Sequence, residues 1–230
     1  MILCVIPARK GSKGIKNKNI KEINKIPLVT WAIRIAKKSR FVDEIIVSSD
    51  SKKILNIAEN KKVIAHARNS KISQDKSTTY EAIDEILKDK RYNKYSYIVC
   101  IEPTSPFTLS KDVDLCIKDL ISNKKAKSLV SVGVTNQIHP EFLYRKDKNN
   151  LLSSYLTLKK NKLKRRQDVE PLLYPDGSVY ISEKKTLIKE KNFISKKTMY
   201  KILRRMSNIE IDDNFDLLVA RSLAKYKNLK

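Results

Sequence analysis

Glycine is scarce in this sequence, which contains four glycines in 230 residues, where average usage would give roughly 16. Two of them, Gly11 and Gly14, lie close together just after an apolar segment at the start of the chain. A sequence that otherwise avoids glycine and places two there indicates a backbone that needs positive φ or a close approach to a ligand. Residues 9–19 are therefore the first candidate for a binding loop.

Cysteines and long apolar stretches are also rare. The three cysteines, Cys4, Cys100 and Cys116, are far apart, and the first two lie in apolar runs typical of buried strands, so we expect buried free thiols. No stretch approaches the roughly 18 apolar residues of a membrane span. The first residues, MILCVIPA, are too short for a signal sequence and carry no cleavage site. We therefore expect a cytoplasmic protein with no membrane partner.

Acidic residues are few, since 25 Asp and Glu stand against 49 Lys and Arg, a formal net charge of +24. Such an excess is typical of proteins that bind nucleic acid or anionic membranes. Here it is mostly lysine spread along the chain among many Ile and Asn residues, as coding bias would also produce. Aromatic-studded basic repeats and zinc-finger spacings are absent. We expect no nucleic-acid partner, and a small polyanionic substrate accounts for part of the charge equally well.

Short β-branched segments alternate with amphipathic segments over the first 135 residues. This alternation predicts βαβ units and a mainly parallel, doubly wound α/β sheet. The predicted strands cover residues 2–7, 44–48, 63–65, 97–102 and 128–134, and the predicted helices cover 27–39, 52–59, 78–87 and 111–122.

The pattern is lost between residues 137 and 171, where polar, Lys-rich sequence carries only weak strand signals at 141–145 and 151–158. We interpret 137–171 as an excursion from the sheet, either a flap or a dimerisation arm, inserted into a single domain that spans 1–230. The core is predicted to resume at 177–182 and 208–211, before a last helix at about 214–227.

The loop after the first strand has the composition of an anion-binding site. It lies at the carboxyl end of a parallel strand, where open α/β sheets bind ligands, and its N–H groups can form an anion-binding concavity. Arg9, Lys13 and Lys18 add donors suited to a triphosphate. The spacing matches neither GxxxxGK[ST] nor GxGxxG, which disfavours a P-loop ATPase or a dinucleotide enzyme. A tight turn with solvated lysines is the alternative that spacing alone leaves open.

Residues 6–19, IPARKGSKGIKNKN, resemble the N-terminal signature of the acylneuraminate cytidylyltransferase family. Further segments are similar to family motifs in the same order, and the resemblance extends from residue 2 to about residue 220. These segments are IVSSD at 46–50, Arg68, Asp75 and STT at 77–79, EPTSP at 102–106, Arg166-Gln167, PDGSVYI at 175–181 and EID at 210–212.

The resemblance implies a nucleotidyltransferase with a Rossmann-like sheet of the nucleotide-diphospho-sugar transferase type, which uses Mg²⁺ and forms a homodimer through the excursion. The implied reaction transfers CMP from CTP to the anomeric hydroxyl of a nonulosonic, sialic-acid-like sugar acid and releases pyrophosphate. The resemblance implies CTP contacts at Arg9, Gly11, Ser12, Lys13, Lys18, Asn19, Arg68 and Thr79, sugar contacts at Glu102, Arg166, Gln167 and Tyr180, metal ligands at Asp212 and Glu210, and catalytic roles for Arg9, Lys18 and Asp212.

The two late carboxylates suit this chemistry. Attack on the α-phosphorus builds charge on phosphoryl oxygens and on the departing pyrophosphate, so electrostatic stabilisation should dominate catalysis, and two carboxylates can place Mg²⁺ to bridge those oxygens. Glu210 stands where the family has an aspartate, but a longer carboxylate still ligates a hard cation. The alternative is a solvated strand end followed by an N-cap for the last helix.

The sugar-facing positions depart from the sialic-acid pattern. Glu102 replaces the usual glutamine, and an ionised carboxylate there would repel a sugar carboxylate. Phe142 stands where a lysine is expected, while Tyr174 and Asp176 replace arginine and asparagine. We therefore infer that CTP is the donor and that a legionaminic- or pseudaminic-type acceptor fits at least as well as N-acetylneuraminate.

Besides a sugar nucleotidyltransferase that uses a different base, two other hypotheses remain. The first is a cytidylyltransferase for another 3-deoxy-2-keto sugar acid such as 3-deoxy-manno-octulosonate, whose signature loop lacks the S-K-G-x-x-x-K-N run present here. The second is a non-catalytic nucleotide or nucleic-acid binding protein, against which the retention of Arg9, Lys18 and Asp212 argues.

Overall fold

The computed structural model describes residues 1–135, 138–156, 165–204 and 206–227. In chain order its strands are β1 (Ile2–Pro7), β2 (Glu22–Ile23), β3 (Ile26–Pro27), β4 (Glu44–Ser49), β5 (Ile64–Ala67), β6 (Tyr97–Cys100), β7 (Ser128–Thr135), β8 (Tyr144–Lys146), β9 (Leu152–Ser154), β10 (Leu172–Glu183) and β11 (Thr198–Ile202). Its helices are α1 (Leu28–Lys38), α2 (Lys52–Asn60), α3 (Thr79–Leu87), α4 (Ser110–Ser122), α5 (Lys184–Glu190) and α6 (Asn214–Tyr226).

A seven-stranded sheet with the order β11-β7-β10-β6-β1-β4-β5 forms the centre of the fold. Strand β1 pairs in parallel with β4 and β6, β4 pairs in parallel with β5, and β7 pairs in parallel with β11. Side chains alternate between the faces of β1, so that Cys4 packs on one core cluster and Leu3 on another. The mainly parallel α/β sheet predicted from the sequence is confirmed.

Strand β10 runs antiparallel to both of its neighbours, β6 and β7, which the sequence did not predict. Leu172, its first residue, lies opposite Thr135, the last residue of β7. The excursion therefore joins two adjacent antiparallel strands as a long hairpin connection, and no crossover helix is needed. The predicted strand at 177–182 is the second half of β10, after an irregularity in the pairing between Pro175 and Tyr180.

The excursion contains a small antiparallel pair, β8 with β9, next to a short 3₁₀ turn at Pro140–Phe142. The predicted strand signals at 141–145 and 151–158 coincide in part with this pair. Residue 137 and residues 157–164 of the predicted excursion lie outside the described residues.

The predicted strand at 208–211 is wrong, because this segment has no strand structure. Ile211 is nevertheless fully buried, and its backbone N–H donates to the carbonyl oxygen of Thr104 at 2.9 Å. The apolar residue therefore anchors a loop rather than a sheet. Strand β11, which lies at the sheet edge, and helix α5 were not predicted; β11 is only five residues long, and α5 has two apolar residues among three lysines.

The three cysteines are buried free thiols, as expected, with Cys4 in β1, Cys100 in β6 and Cys116 in α4. Burial raises the pKa of all three thiols well above the usual value, so they remain protonated and unreactive near neutral pH. None of the helices in the described part of the chain has the length and hydrophobicity that crossing a membrane requires.

Gly14 is the glycine that allows the loop after β1 to pack against the segment before α6. A Cβ atom at this position would overlap the carbonyl oxygen of Asp212, so the close approach at Gly14 is to the backbone of the same chain. At Gly11, in contrast, no heavy atom lies within 4 Å of the Cβ position, and φ is not positive. Neither glycine of this loop therefore has the positive φ that was one expected reason for it, and close approach to a ligand stays a prediction for both.

We predict that Gly14→Ala lowers the free energy of unfolding by about 1–3 kcal/mol, as overpacking of a close contact does. Gly11→Ala is the matched control in the same loop and should stay within about 0.5 kcal/mol of the parent. Urea denaturation of the three proteins measures the difference. Equal stability of the two variants would contradict the proposed tight contact between Gly14 and Asp212.

Candidate active site

A polar cavity opens at the carboxyl ends of β1, β5 and β6. It is closed on one side by the start of α3 and on another by the loop before α6. All but four of the site residues predicted from the sequence line it. The lining residues are Pro7, Arg9, Gly11, Ser12, Lys18, Asn19, Arg68, Ser77, Thr78, Thr79, Glu102, Thr104, Glu210 and Asp212.

The loop after β1 contributes a fixed arginine. Nη1 of Arg9 lies 2.9 Å from Oδ1 of Asp75, and the side-chain amide of Asn19, which is buried, donates to the carbonyl oxygen of Arg9 at 2.9 Å. Asn19 therefore holds the backbone of this loop. Lys13, by contrast, is an exposed side chain whose Nζ lies 3.9 Å from Asp75, and it does not line the cavity.

Lys18 connects this loop to the opposite end of the chain. Its Nζ donates to the carbonyl oxygen of Ile211 at 2.9 Å and to Oδ1 of Asp212 at 3.0 Å. The Lys18 side chain is 14% exposed, whereas that of Asp212 is 71% exposed. A largely buried ammonium group is thus satisfied by one carbonyl and one carboxylate, and it fixes Asp212 at the edge of the cavity.

Three carboxyl groups, those of Glu102, Glu210 and Asp212, line one end of the cavity. Desolvation, followed by the nearby charge of Glu210, raises the pKa of Glu102 to about 7, although Thr79 donates to it at 3.3 Å. Desolvation and then the charge of Asp212 also raise the pKa of Glu210, and Lys18 opposes this shift. The mutual repulsion indicates a site that favours a bound cation.

Glu210 lies against a turn that only glycine accommodates without strain. Gly177 has φ of +72°, and a Cβ atom there would lie 2.7 Å from the Glu210 carboxyl carbon. Thr104 lies on the other side, with Oγ1 3.5 Å from Glu210 Oε1. No group of three or more His, Cys, Asp or Glu side chains within the described ranges could hold a metal ion by itself, so any ion here would need ligands from a substrate or from water.

Arg68, 8% exposed, forms the opposite wall of the cavity. Its Nε donates to Oγ of Ser48 at 3.1 Å and its Nη2 to the Ser48 carbonyl oxygen at 2.9 Å. Burial lowers the pKa of this guanidinium, and the charges of Asp50 and Glu85 oppose the shift. Thr79 next to it is the first residue of α3, whose N-cap Thr78 forms a capping box with Glu81.

Three of the predicted sugar-binding residues do not line the cavity. Arg166 and Gln167 are exposed in a 3₁₀ turn at Arg166–Asp168, within the excursion. Tyr180 lies in β10 with its ring 5.7 Å from that of Phe193, on a core face, and burial followed by the charge of Glu102 raises its pKa. Tyr180 therefore lies behind the cavity, near Glu102.

Sequence reasoning assigned no role to three hydroxyl-bearing residues that line the cavity, Ser77, Thr78 and Thr104. All three lie inside segments that resemble family motifs, STT at 77–79 and EPTSP at 102–106. The signal was thus present, but the motif does not say which of its hydroxyl groups face the cavity.

The model of the cytidylyltransferase family matches residues 3–230. The chain belongs to the cytidylyltransferase family. It is 30% identical over 227 residues to the N-acylneuraminate cytidylyltransferase of Escherichia coli O18:K1:H7, covering 99% of this chain and 53% of that protein. It is also 30% identical over 233 residues to the CMP-N,N'-diacetyllegionaminic acid synthase of Legionella pneumophila, covering 96% and 95% of the two chains.

The fold is similar to that of a CMP:2-keto-3-deoxy-manno-octonic acid synthetase, with a TM-score of 0.70, 13% identity, and coverage of 98% of this chain and 99% of that one. The chain spans about half the length of the N-acylneuraminate cytidylyltransferases that it matches. It spans nearly the whole of the legionaminic acid synthase. The family resemblance and the Rossmann-like α/β fold predicted from the sequence are confirmed.

The raised pKa of Glu102 gives a prediction about stability and pH. Because the folded-state pKa of about 7 exceeds the ordinary glutamate value of 4.5, ionising Glu102 destabilises the fold as pH rises through this window. Glu102→Gln removes that cost. The free energy of unfolding of Glu102→Gln, relative to that of the parent, should therefore increase by on the order of 2 kcal/mol between pH 4.5 and pH 8. One pKa unit is worth about 1.4 kcal/mol, and the side chain is partly buried.

Urea denaturation at several pH values measures this difference. The matched control is Glu59→Gln, which changes an exposed carboxyl group on α2 and should show no such trend. A pH-independent difference for Glu102→Gln would show that the Glu102 carboxyl group is not desolvated.

Proposed function

We propose that this chain transfers CMP from CTP to the anomeric hydroxyl of a nonulosonic sugar acid, with release of pyrophosphate. The observation that carries the proposal is one cavity in which the cations Arg9 and Lys18 face the carboxylates Glu210 and Asp212. Family membership supports the nucleotidyl transfer, and the names of the relatives support the class of acceptor.

The triphosphate of CTP would lie along the loop after β1. Arg9 and Lys18 would bind its oxygens with charge-assisted hydrogen bonds, together with the hydroxyl of Ser12. Asp75 forms an ion pair with Arg9, and a phosphate oxygen would replace Asp75 in this contact. Lys13 would reach the phosphates from outside the cavity. The nucleoside would then extend towards the wall formed by Arg68 and Thr79, next to Asn19.

Asp212 and Glu210 fit a Mg²⁺ ion. Their carboxyl groups are close enough for the charge of one to raise the pKa of the other, and a hard cation between them would relieve this repulsion. Two protein carboxylates with substrate phosphates and water are the ligands that Mg²⁺ usually takes. When bound, the ion would polarise phosphoryl oxygens and stabilise the charge that develops at the α-phosphorus and the leaving group.

The acceptor would approach the cavity from the side of Glu102. We propose a sugar of the legionaminic acid class in preference to N-acetylneuraminate, because the legionaminic acid synthase matches this chain over nearly its whole length. A carboxyl group at position 102, which is protonated more readily than usual, can donate a hydrogen bond to an acidic sugar when neutral and repels it when ionised.

Arg166 and Gln167 lie outside the cavity. They would reach an acceptor only if the excursion moved, or if the excursion of a second subunit supplied them. We propose a homodimer that covers the exposed apolar residues of the excursion, including Tyr144, Leu152 and Tyr155.

We also propose that the protein acts in the cytoplasm, without nucleic-acid or membrane partners, and that 1–230 forms one domain with the excursion at 137–171.

An acceptor panel tests the proposal. The protein is incubated with CTP, Mg²⁺ and either N,N'-diacetyllegionaminic acid, N-acetylneuraminic acid, a pseudaminic acid or 3-deoxy-manno-octulosonate, and CMP-sugar formation is measured by mass spectrometry. Product with the nonulosonic acids supports the proposal. Product with 3-deoxy-manno-octulosonate alone would replace it with the alternative cytidylyltransferase.

We predict that Asp212→Asn lowers the rate of CMP-sugar formation at least 100-fold, because the negative charge that serves the metal and pairs with Lys18 is lost. Glu59→Gln, which removes one carboxylate charge far from the cavity, is the control and should retain the parental rate. A rate for Asp212→Asn close to the parental value would contradict the metal assignment.

We predict that Arg9→Ala raises the KM for CTP about tenfold or more and leaves the KM for the sugar nearly unchanged, because Arg9 would contact only the triphosphate. Lys10→Ala removes the same charge from the neighbouring exposed residue, which does not line the cavity, and should change neither constant appreciably. An equal increase of both constants for Arg9→Ala would place this side chain elsewhere.

A further inference from the structure

A chain of polar side chains lies behind Arg68. Ser48 Oγ accepts a hydrogen bond from Arg68 Nε at 3.1 Å and lies 3.2 Å from Nδ1 of His66. On the far side of the imidazole ring, Nε2 of His66 lies 3.9 Å from Oε2 of Glu85. Ser48 is fully buried and His66 partly buried, so these contacts are largely protected from solvent.

The backbone holds these side chains in register. Ser48 in β4 is the direct partner of His66 in β5, and the N–H of Arg68 donates to the carbonyl oxygen of Ser49 at 2.9 Å. Two parallel strands thus place a hydroxyl, an imidazole and a guanidinium side by side at the edge of the cavity. This pairing depends on the sheet and not on side-chain flexibility.

The direction of the hydrogen bonds follows from the donors. Because the Ser48 hydroxyl accepts from Arg68 Nε, its own proton is available for Nδ1 of His66. Glu85 favours a proton on Nε2 of His66 and hence a lone pair on Nδ1. Burial, and to a lesser degree the charge of Arg68, lower the pKa of His66 against the opposing effect of Glu85, which keeps the ring neutral and able to accept.

The consequence for Arg68 is a fixed orientation. Ser48 takes two of the five N–H donors of the guanidinium, one through its hydroxyl and one through its carbonyl oxygen. A free arginine side chain would lose rotamer entropy when a ligand orders it. Here that ordering exists before any ligand binds, which favours affinity and selectivity at the cavity wall.

We propose that Ser48 and His66 are positioning residues for the nucleoside half of CTP, acting through Arg68. This inference rests on the proposed function, in which Arg68 contacts the nucleoside. Neither residue lines the cavity, so neither touches the substrate. A purely structural role, in which Ser48 only satisfies buried polar groups, is the alternative that the experiment must separate.

The test is a double-mutant cycle on ligand affinity. Ser48→Ala is made in the parent and in Arg68→Ala, and dissociation constants for CTP and for inorganic tripolyphosphate are measured by calorimetry. We expect Ser48→Ala to weaken CTP binding about tenfold in the parent, to leave tripolyphosphate binding within about twofold, and to have no further effect on CTP in the Arg68→Ala background. His66→Ala should weaken CTP binding by a smaller factor, about threefold, because it acts on Arg68 through Ser48.

Ser49→Ala is the matched control. Ser49 is the next residue of β4, is equally buried, and its hydroxyl accepts from the N–H of Ser51 instead of from Arg68. It should leave CTP affinity unchanged. Denaturation midpoints of all variants confirm that binding is measured on folded protein, and at saturating CTP the kcat of Ser48→Ala should stay near the parental value while its KM for CTP rises.

Three outcomes overturn the inference. They are an unchanged CTP affinity in Ser48→Ala, an equal loss for CTP and tripolyphosphate, and a loss that persists in the Arg68→Ala background. Failure of the parent protein to bind CTP at all would instead overturn the proposed function, and the inference with it. Unchanged CTP binding by Arg68→Ala alone would also overturn the inference, because Arg68 would then not contact the nucleoside, while the transfer reaction would stand.

Discussion

The contact between the loop at residues 8–19 and the segment at residues 210–213 determines where the charged groups of the cavity lie. Gly14 packs against the backbone of Asp212, and the Lys18 ammonium binds the carbonyl oxygen of Ile211 as well as the Asp212 carboxylate. Ile211 is itself buried and tied to Thr104. Residues almost 200 positions apart are thereby joined, and without this contact Glu210 and Asp212 would not face Arg9 across the cavity.

The resulting charge distribution explains how a strongly basic chain can build a selective site. Arg9 at one end of the cavity suits phosphate, while at the other end desolvation and mutual repulsion raise the pKa of Glu102 and Glu210, and Lys18 is paired with Asp212. Neither a bare nucleotide nor a bare cation complements both ends. Under the proposed function, a nucleotide with its metal ion complements both, and the overall charge of +24 contributes through steering rather than through contacts.

The sequence predicted the first 135 residues well because each strand and helix there carries its own local pattern, and parallel strands with crossover helices leave few arrangements. It did not predict the direction of β10, because this depends on where the chain returns from the excursion and not on residues 172–183. In the same way, 208–211 was mistaken for a strand, since a single buried Ile211 that anchors a loop resembles a strand residue in the sequence.

For the site, motifs predicted which segments meet but not how individual side chains point. Arg9 and Glu102 come after strand ends, and Gly14 lets the loop that carries Lys18 approach Asp212, so these four residues meet at the cavity. Arg166 and Gln167 lie outside the cavity because they belong to the excursion, which is not part of the sheet. The roles of Ser48 and His66 depend on strand register, which neither spacing nor composition reveals.

The most direct test of the account is the nucleotide dependence of pyrophosphate release. The protein is given CTP, UTP, ATP or GTP with Mg²⁺, with and without a nonulosonic acid, and pyrophosphate is measured continuously. The account predicts release with CTP that requires both the metal ion and the sugar acid. Release that is independent of the sugar acid, or equal rates with all four nucleotides, would contradict it.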